Sequence, residues 1–132
     1  MAGRDKHLQK ARRNIEFLCE ILGVAQSKRK LDWCAIAAFY AAVHIVDACL
    51  DPEHHPTSHG DRNKLIGRED FWIEYSSMYS LSKKSRYLDD DAVLLYPSVE
   101  SVAEAIHDLR EITRKTRLAT ELSGDLSQVP VP

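Results

Sequence analysis

Between Leu31 and Leu50 the chain is apolar almost all the way round a helical projection, with Asp32, His44 and Asp47 as the main interruptions. A helix of a soluble protein that is apolar on nearly every side has to be surrounded by neighbours. This segment therefore predicts the central helix of an all-α bundle. Its longest unbroken apolar run, Trp33 to Val43, is well short of the roughly 20 residues that cross a bilayer. A buried place within protein is the expectation.

The rest of the sequence reads as helices that could surround such a centre. From Arg4 to Leu22 the residues Leu8, Ala11, Ile15, Leu18, Cys19 and Leu22 fall on one stripe, the spacing of an amphipathic helix. Gly23 supplies a stop, and Gln26 to Lys30 form a basic connector. After the central helix Pro52 and Pro56 break the chain, and Ser58 with Asp61 three residues on has the capping-box pattern. A short helix ending near Gly67 is predicted there. Asp70 is the expected N-cap of a helix from Phe71 to about Tyr87, closed by Lys83, Lys84 and Arg86, which suit the negative end of the helix dipole. The loop Leu88 to Tyr96 carries Asp89, Asp90 and Asp91, read as a solvated charge run. Pro97 and the cap Ser98 open a last helix to about Leu118, with Val99, Val102, Ile106, Leu109 and Ile112 on its stripe. From Glu121 on, Gly124, Pro130 and Pro132 predict a flexible tail.

Together these elements predict an all-α fold: an up-down four-helix bundle with a short additional helix after the second long helix. Residues 1–120 form a single domain and residues 121–132 the tail. The length of 132 residues suits one domain that buries roughly two thirds of its unfolded surface. A net charge of −2 supplies no global field for nucleic acid, so any such activity must come from a local patch. Cys19, Cys34 and Cys49 are odd in number and sit in apolar helical patterns, which predicts reduced core thiols. The polar, basic start of the chain, with no apolar stretch following, predicts a cytoplasmic protein.

Antiparallel packing of consecutive helices would bring the start of the first helix, the end of the central helix and the end of the last helix to one end of the bundle. That end would gather Arg4, Lys6, Lys10 and Arg13 with Arg114, Lys115 and Arg117 around the segment His54 to Asn63, a cationic end fit for phosphate. His55 and His59 are four apart, but Pro56 and the cap at Ser58 break the helix that would align them as metal ligands, so no metal site and no cofactor are expected. As acid–base groups, His55 and His59 titrate near neutrality and suit in-line phosphodiester cleavage beside Arg62. His54, Arg62, Asn63, Lys10, Arg13 and Arg114 are the candidate binding residues. His44 and His107 are read as packed histidines, His44 hydrogen-bonded within the core near Asp47.

The order of Asp32-Trp33, Ala35 to Tyr40, Ala41, His44 to Asp47, His55-Pro56-Thr57-Ser58-His59, Asp61-Arg62-Asn63, Tyr79-Ser80-Leu81-Ser82 and Ser85-Arg86-Tyr87 resembles small bacterial HEPN-domain proteins, over about residues 8 to 118. The resemblance implies a compact helical bundle that forms symmetric dimers, in a superfamily many of whose members are metal-independent ribonucleases of toxin–antitoxin or defence systems, commonly beside a nucleotidyltransferase-like antitoxin partner. The superfamily's catalytic motif is an Arg, often followed by a polar residue, with a His after four to six intervening residues. Arg62-Asn63 matches its first half, whereas the positions for the His hold Gly67, Arg68 and Glu69. The resemblance therefore implies a domain that binds RNA, a nucleotide or a protein partner without the standard catalysis. The alternative is a divergent ribonuclease in which His55 or His59 works with Arg62.

Overall fold

The computed structural model describes residues 2–23, 28–50, 56–87 and 97–130. All regular structure among the described residues is helical: α1 (Ala2–Leu22), α2 (Lys28–Cys49), α3 (His59–Ile66), α4 (Trp72–Tyr87), α5 (Val99–Lys115) and α6 (Ala119–Ser127). The helices pack as a bundle centred on α2, which lies against α1, α4 and α5. Cys34, Ala37, Ala38, Phe39, Ala41, Ala42, Val43, Ile45 and Val46 are all buried in the core. The run of alanines lets neighbouring helices approach closely, and this burial accounts for a helix apolar enough over Lys30–Cys49 to pass for a membrane span by composition alone.

Two residues of α2, Ile36 and Tyr40, are only half-buried. Tyr40 has a polar tip that needs a partner, and its hydroxyl accepts a hydrogen bond from Arg86 Nη1 at 2.8 Å. Trp33, by contrast, is 52% exposed. The helix also begins earlier than the basic connector suggests. Lys30 is buried, and its ammonium donates to the Leu22 carbonyl at 3.1 Å, where the last carbonyls of α1 lack intrahelical partners and the helix dipole favours a cation.

The caps follow the sequence. Ser58 Oγ accepts from the Asp61 amide and Asp61 Oδ2 accepts from the Thr57 amide, both near 3 Å; Ser98 Oγ accepts from the Ser101 amide in the same way. At α4 the expectation needs correction: the first helical hydrogen bond runs from the Tyr75 amide to the Phe71 carbonyl, so Phe71 rather than Asp70 occupies the cap position. Asp70 is engaged instead through its carbonyl, which accepts from Lys115 Nζ.

The flexible tail expected from Glu121 onwards is a second correction. Residues Ala119–Ser127 form α6, and Leu118, Leu122, Leu126 and Val129 are all buried. Their spacing of four, four and three is an apolar helical stripe, and burying each side chain contributes about 1.5–3 kcal/mol. Gly124 faces open space, so its cost to the helix is the modest one of propensity. Polar contacts fix the same element: Arg4 bonds Glu121 at 2.8 Å, Arg12 reaches the Glu121 carbonyl at 3.1 Å, and Arg110 donates to the carbonyls of Leu126 and Val129 at the helix end.

The turn from α5 into α6 has a strained centre. Arg117 has φ of 64°, in the left-handed region that glycine tolerates and other residues occupy at a cost. The Leu118 amide bonds the Thr113 carbonyl and the Arg117 amide bonds that of Arg114, the paired bonds of a Schellman helix stop, where glycine is the usual residue. Arg117 is exposed, so its side chain contributes little to offset the strain. Arg117→Gly is expected to raise stability by about 1 kcal/mol in urea unfolding; a loss of stability would show that the side chain holds the turn.

Candidate functional site

α3 carries two buried residues, Arg62 and Ile66. With eight residues it is too short to hold its shape on helix propensity alone, so its position depends on what these two side chains meet. Arg62 meets Asp47, near the end of α2. Its Nε donates to Asp47 Oδ1 at 2.7 Å and its Nη2 to Oδ2 at 3.0 Å. This two-pronged geometry is the strongest that an arginine and a carboxylate form, and the side chains retain only 10% and 3% of their exposure. The expected phosphate-gripping edge of Arg62 is thus closed on a partner within the chain.

The remaining prong points at His59. Arg62 Nη1 lies 3.4 Å from His59 Nδ1. The half-buried His59 ring is set against Phe39 at 5.7 Å and edge-on to Tyr79 at 5.5 Å between centroids. Burial, and then the charges of Arg62 and Arg86, push the His59 pKa below the ordinary imidazole value, so the ring is neutral at pH 7. The buried Tyr75 lies beside the same guanidinium, its hydroxyl without a well-formed hydrogen bond, and burial raises its pKa above that of an ordinary phenol.

On the other side of Asp47 stands a histidine pair that sequence reading did not join. His44 is three residues before Asp47 on α2, and His7 is on the second turn of α1. Their Nδ1 atoms are 3.1 Å apart and the rings stack at 5.4 Å with 26° between planes. Burial, then the neighbouring His7, lowers the His44 pKa to about 4, Asp47 opposing the shift and Lys10 and Arg62 adding to it. The polar groups thus form a chain across three helices, His7, His44, Asp47, Arg62 and His59. His7 escaped notice because a lone histidine among charged residues on a helical stripe has no motif around it.

The other candidate residues are dispersed. Lys10 and Arg13 are exposed on α1, and with Lys6 and Phe17 their spacing of four, three and four makes one face of that helix. Asn63 is half-buried, and its buried side-chain oxygen has no hydrogen-bond partner. Arg114 turns back to Glu111 on its own helix at 2.7 Å. Arg4 and Lys115 of the expected cationic end are likewise neutralised, by Glu121 at 2.8 Å and Glu74 at 2.6 Å. His54, His55 and the Asp89 to Asp91 run lie outside the described residues. His107 is exposed. Of the cysteines, Cys34 is buried and Cys19 intermediate, whereas Cys49 is exposed and so is not the core thiol expected; burial pushes the thiol of Cys34 up to about 11, which keeps it protonated and poorly nucleophilic.

The histidines give the fold a definite pH dependence. His44 titrates near 4 when folded and near 6.5 when unfolded. Between those values the unfolded chain binds a proton that the folded chain refuses, so stability is complete above about 6.5 and is lost as pH falls towards about 4. His59 shifts in the same direction. Because the His44 ring keeps partial access to solvent, its share is about 1–2 kcal/mol. In metal-free buffer, His44→Gln is expected to flatten the fall in urea midpoint across this window; an unchanged slope would place the acid sensitivity elsewhere.

Comparisons with known protein families, with curated proteins and with solved structures find no match to this chain, so the function of the site has to be argued from its chemistry.

Proposed function

We propose that the chain is a HEPN-type helical module that binds RNA or a nucleotide, beside the junction of α1, α2 and α3, without the standard cleavage chemistry of that superfamily. The observation that carries this reading is the engagement of Arg62. In the motif that Arg62-Asn63 half-matches, the arginine is paired with a following histidine; here its fork is closed on Asp47, and Gly67, Arg68 and Glu69 stand where the histidine would be. An arginine so committed organises a site instead of gripping phosphate.

Anion contacts then fall to the exposed face of α1. Lys6, Lys10 and Arg13 present three cations in a row, and the 45% exposed Phe17 continues the line. Cations that track a backbone, with an aromatic ring for a base to stack on, are the usual means of binding single-stranded nucleic acid. The finer architecture goes with the same reading: an up-down bundle of the four long helices α1, α2, α4 and α5, with α3 inserted after the second. So do a homodimer, a cytoplasmic location, and a toxin–antitoxin or defence setting with a nucleotidyltransferase-like antitoxin partner. Dimerisation has a physical motive in the apolar side chains left outside, Trp33 at 52% and Ile73 at 76% exposure.

One observation favours the rival reading, a divergent metal-independent ribonuclease. His59 is neutral, half-exposed and 3.4 Å from a guanidinium, as a general base beside a charge-stabilising group would be.

A single experiment separates the two. Full-length protein is incubated with labelled single-stranded RNA in chelator at several salt concentrations, and retention and cleavage are read together, with sedimentation of the same sample giving the mass against the 15.0 kDa of one chain. A binding module retains RNA with an affinity that falls steeply with salt. Lys10→Glu with Arg13→Glu is expected to weaken retention at least about tenfold, and His59→Ala to leave it within about threefold with no cleavage in either protein. Cleavage that disappears in His59→Ala would favour the ribonuclease. Neither retention nor cleavage would end both nucleic-acid readings.

A further inference from the structure

The histidine pair poses a chemical question independent of RNA. Two imidazole nitrogens 3.1 Å apart cannot face each other as two lone pairs or as two N–H groups without repulsion. Something positive has to stand between them, either a proton carried by one ring or a cation bound by both. Two nitrogens on one tetrahedral zinc, each bonded at about 2.0–2.1 Å, stand about 3.3 Å apart. The observed separation is close to that bite.

A third donor is at hand. One ligand atom from each of His7, His44 and Asp47 lies within 4.8 Å of the others. We propose that His7, His44 and Asp47 form a binding site for a divalent transition metal of borderline softness, zinc above all, with the remaining coordination position open to water. Nitrogen and carboxylate donors in this ratio suit zinc and its spectroscopic substitute cobalt, and they do not suit the all-oxygen preferences of magnesium or calcium.

The surroundings agree with such a role. Metal-binding carboxylates are themselves held by hydrogen bonds that fix their direction, and the fork of Arg62 does this for Asp47. Each carboxylate oxygen has two acceptor positions, so bonding to Arg62 leaves a lone pair for the ion. His7 and His44 are half-buried, which leaves a path from solvent. The adjoining Arg62 charge disfavours a further cation, so micromolar rather than nanomolar affinity is expected. The site does not involve His55 and His59, the two histidines whose spacing first raised the question of metal.

The test is a cobalt(II) titration of full-length protein stripped with chelator and returned to metal-free buffer at neutral pH. Expected are one equivalent bound per chain, a visible absorption band of low-symmetry coordination, its loss when zinc is added, and a rise in thermal midpoint with zinc. His7→Gln, near the helix start, preserves size and polarity and should fold normally by far-UV circular dichroism while weakening binding at least about tenfold; His7→Gln with His44→Gln should abolish it. The double change of His54 and His55 to Gln, and His107→Gln, should leave binding intact. No binding by the wild type would mean that the pair shares only a proton. Binding that survives His7→Gln with His44→Gln but is lost on changing His54 and His55 would place the ion elsewhere. Either result overturns the proposal.

Discussion

The position of α3 depends on one ion pair. The helix has eight residues and buries Ile66 and Arg62, so a single aliphatic side chain supplies its apolar anchorage. A helix this short is not stable by itself. The fork of Arg62 on Asp47 ties it to the end of α2, and that tie sets where His59 meets Phe39 and Tyr79. A buried pair of this kind is weak as a source of net stability, because removing two charges from water offsets most of their attraction. Its force is conditional: once both charges are buried, loss of either leaves the other unpaired, at about 3–5 kcal/mol. The pair therefore specifies one arrangement of α3 more than it adds to the stability of the domain.

The same carboxylate has a second set of neighbours. Asp47 fixes Arg62 on one side and stands within reach of the His7 and His44 nitrogens on the other. A proton or an ion added to the histidine pair changes the field at Asp47, and through the fork it changes the setting of Arg62 and His59. The proposed RNA surface on α1 adjoins this chain of groups, since Lys10 acts on His44. Binding at one of these places is thereby coupled electrostatically to the state of the others, with Asp47 as the shared member.

Much of this arrangement is legible in the sequence. The all-round apolarity of Leu31 to Leu50 identifies the central helix, because only a surrounded helix has that composition, and Ser58 and Ser98 mark helix starts because their hydroxyls are placed to accept the first free amides. The tail is misread for a physical reason. Gly124 and the terminal prolines weigh against helix in a local reading, whereas Leu118, Leu122, Leu126 and Val129 gain their stability from burial against distant elements. The site is legible only by residue. Arg62 and His59 stand out, but nothing local says that Asp47, fifteen positions away along the chain, will close the arginine's fork. Nor does anything local pair His44 with His7, thirty-seven positions apart. Charge partners of this separation are set by tertiary packing, and a single sequence shows the cations while concealing which of them are already satisfied.

The claim that Arg62 holds the site together, in place of facing an anion, is tested most directly by a double-mutant cycle on stability. Asp47→Asn, Arg62→Gln and the double variant are unfolded in urea at neutral pH in chelator. If the fork ties α3 to α2, each single change costs about 3 kcal/mol, the double change costs little more than one of them, and the coupling is at least about 2 kcal/mol. Additive losses with a coupling below about 0.5 kcal/mol would contradict the account and return Arg62 to the role of a free anion contact.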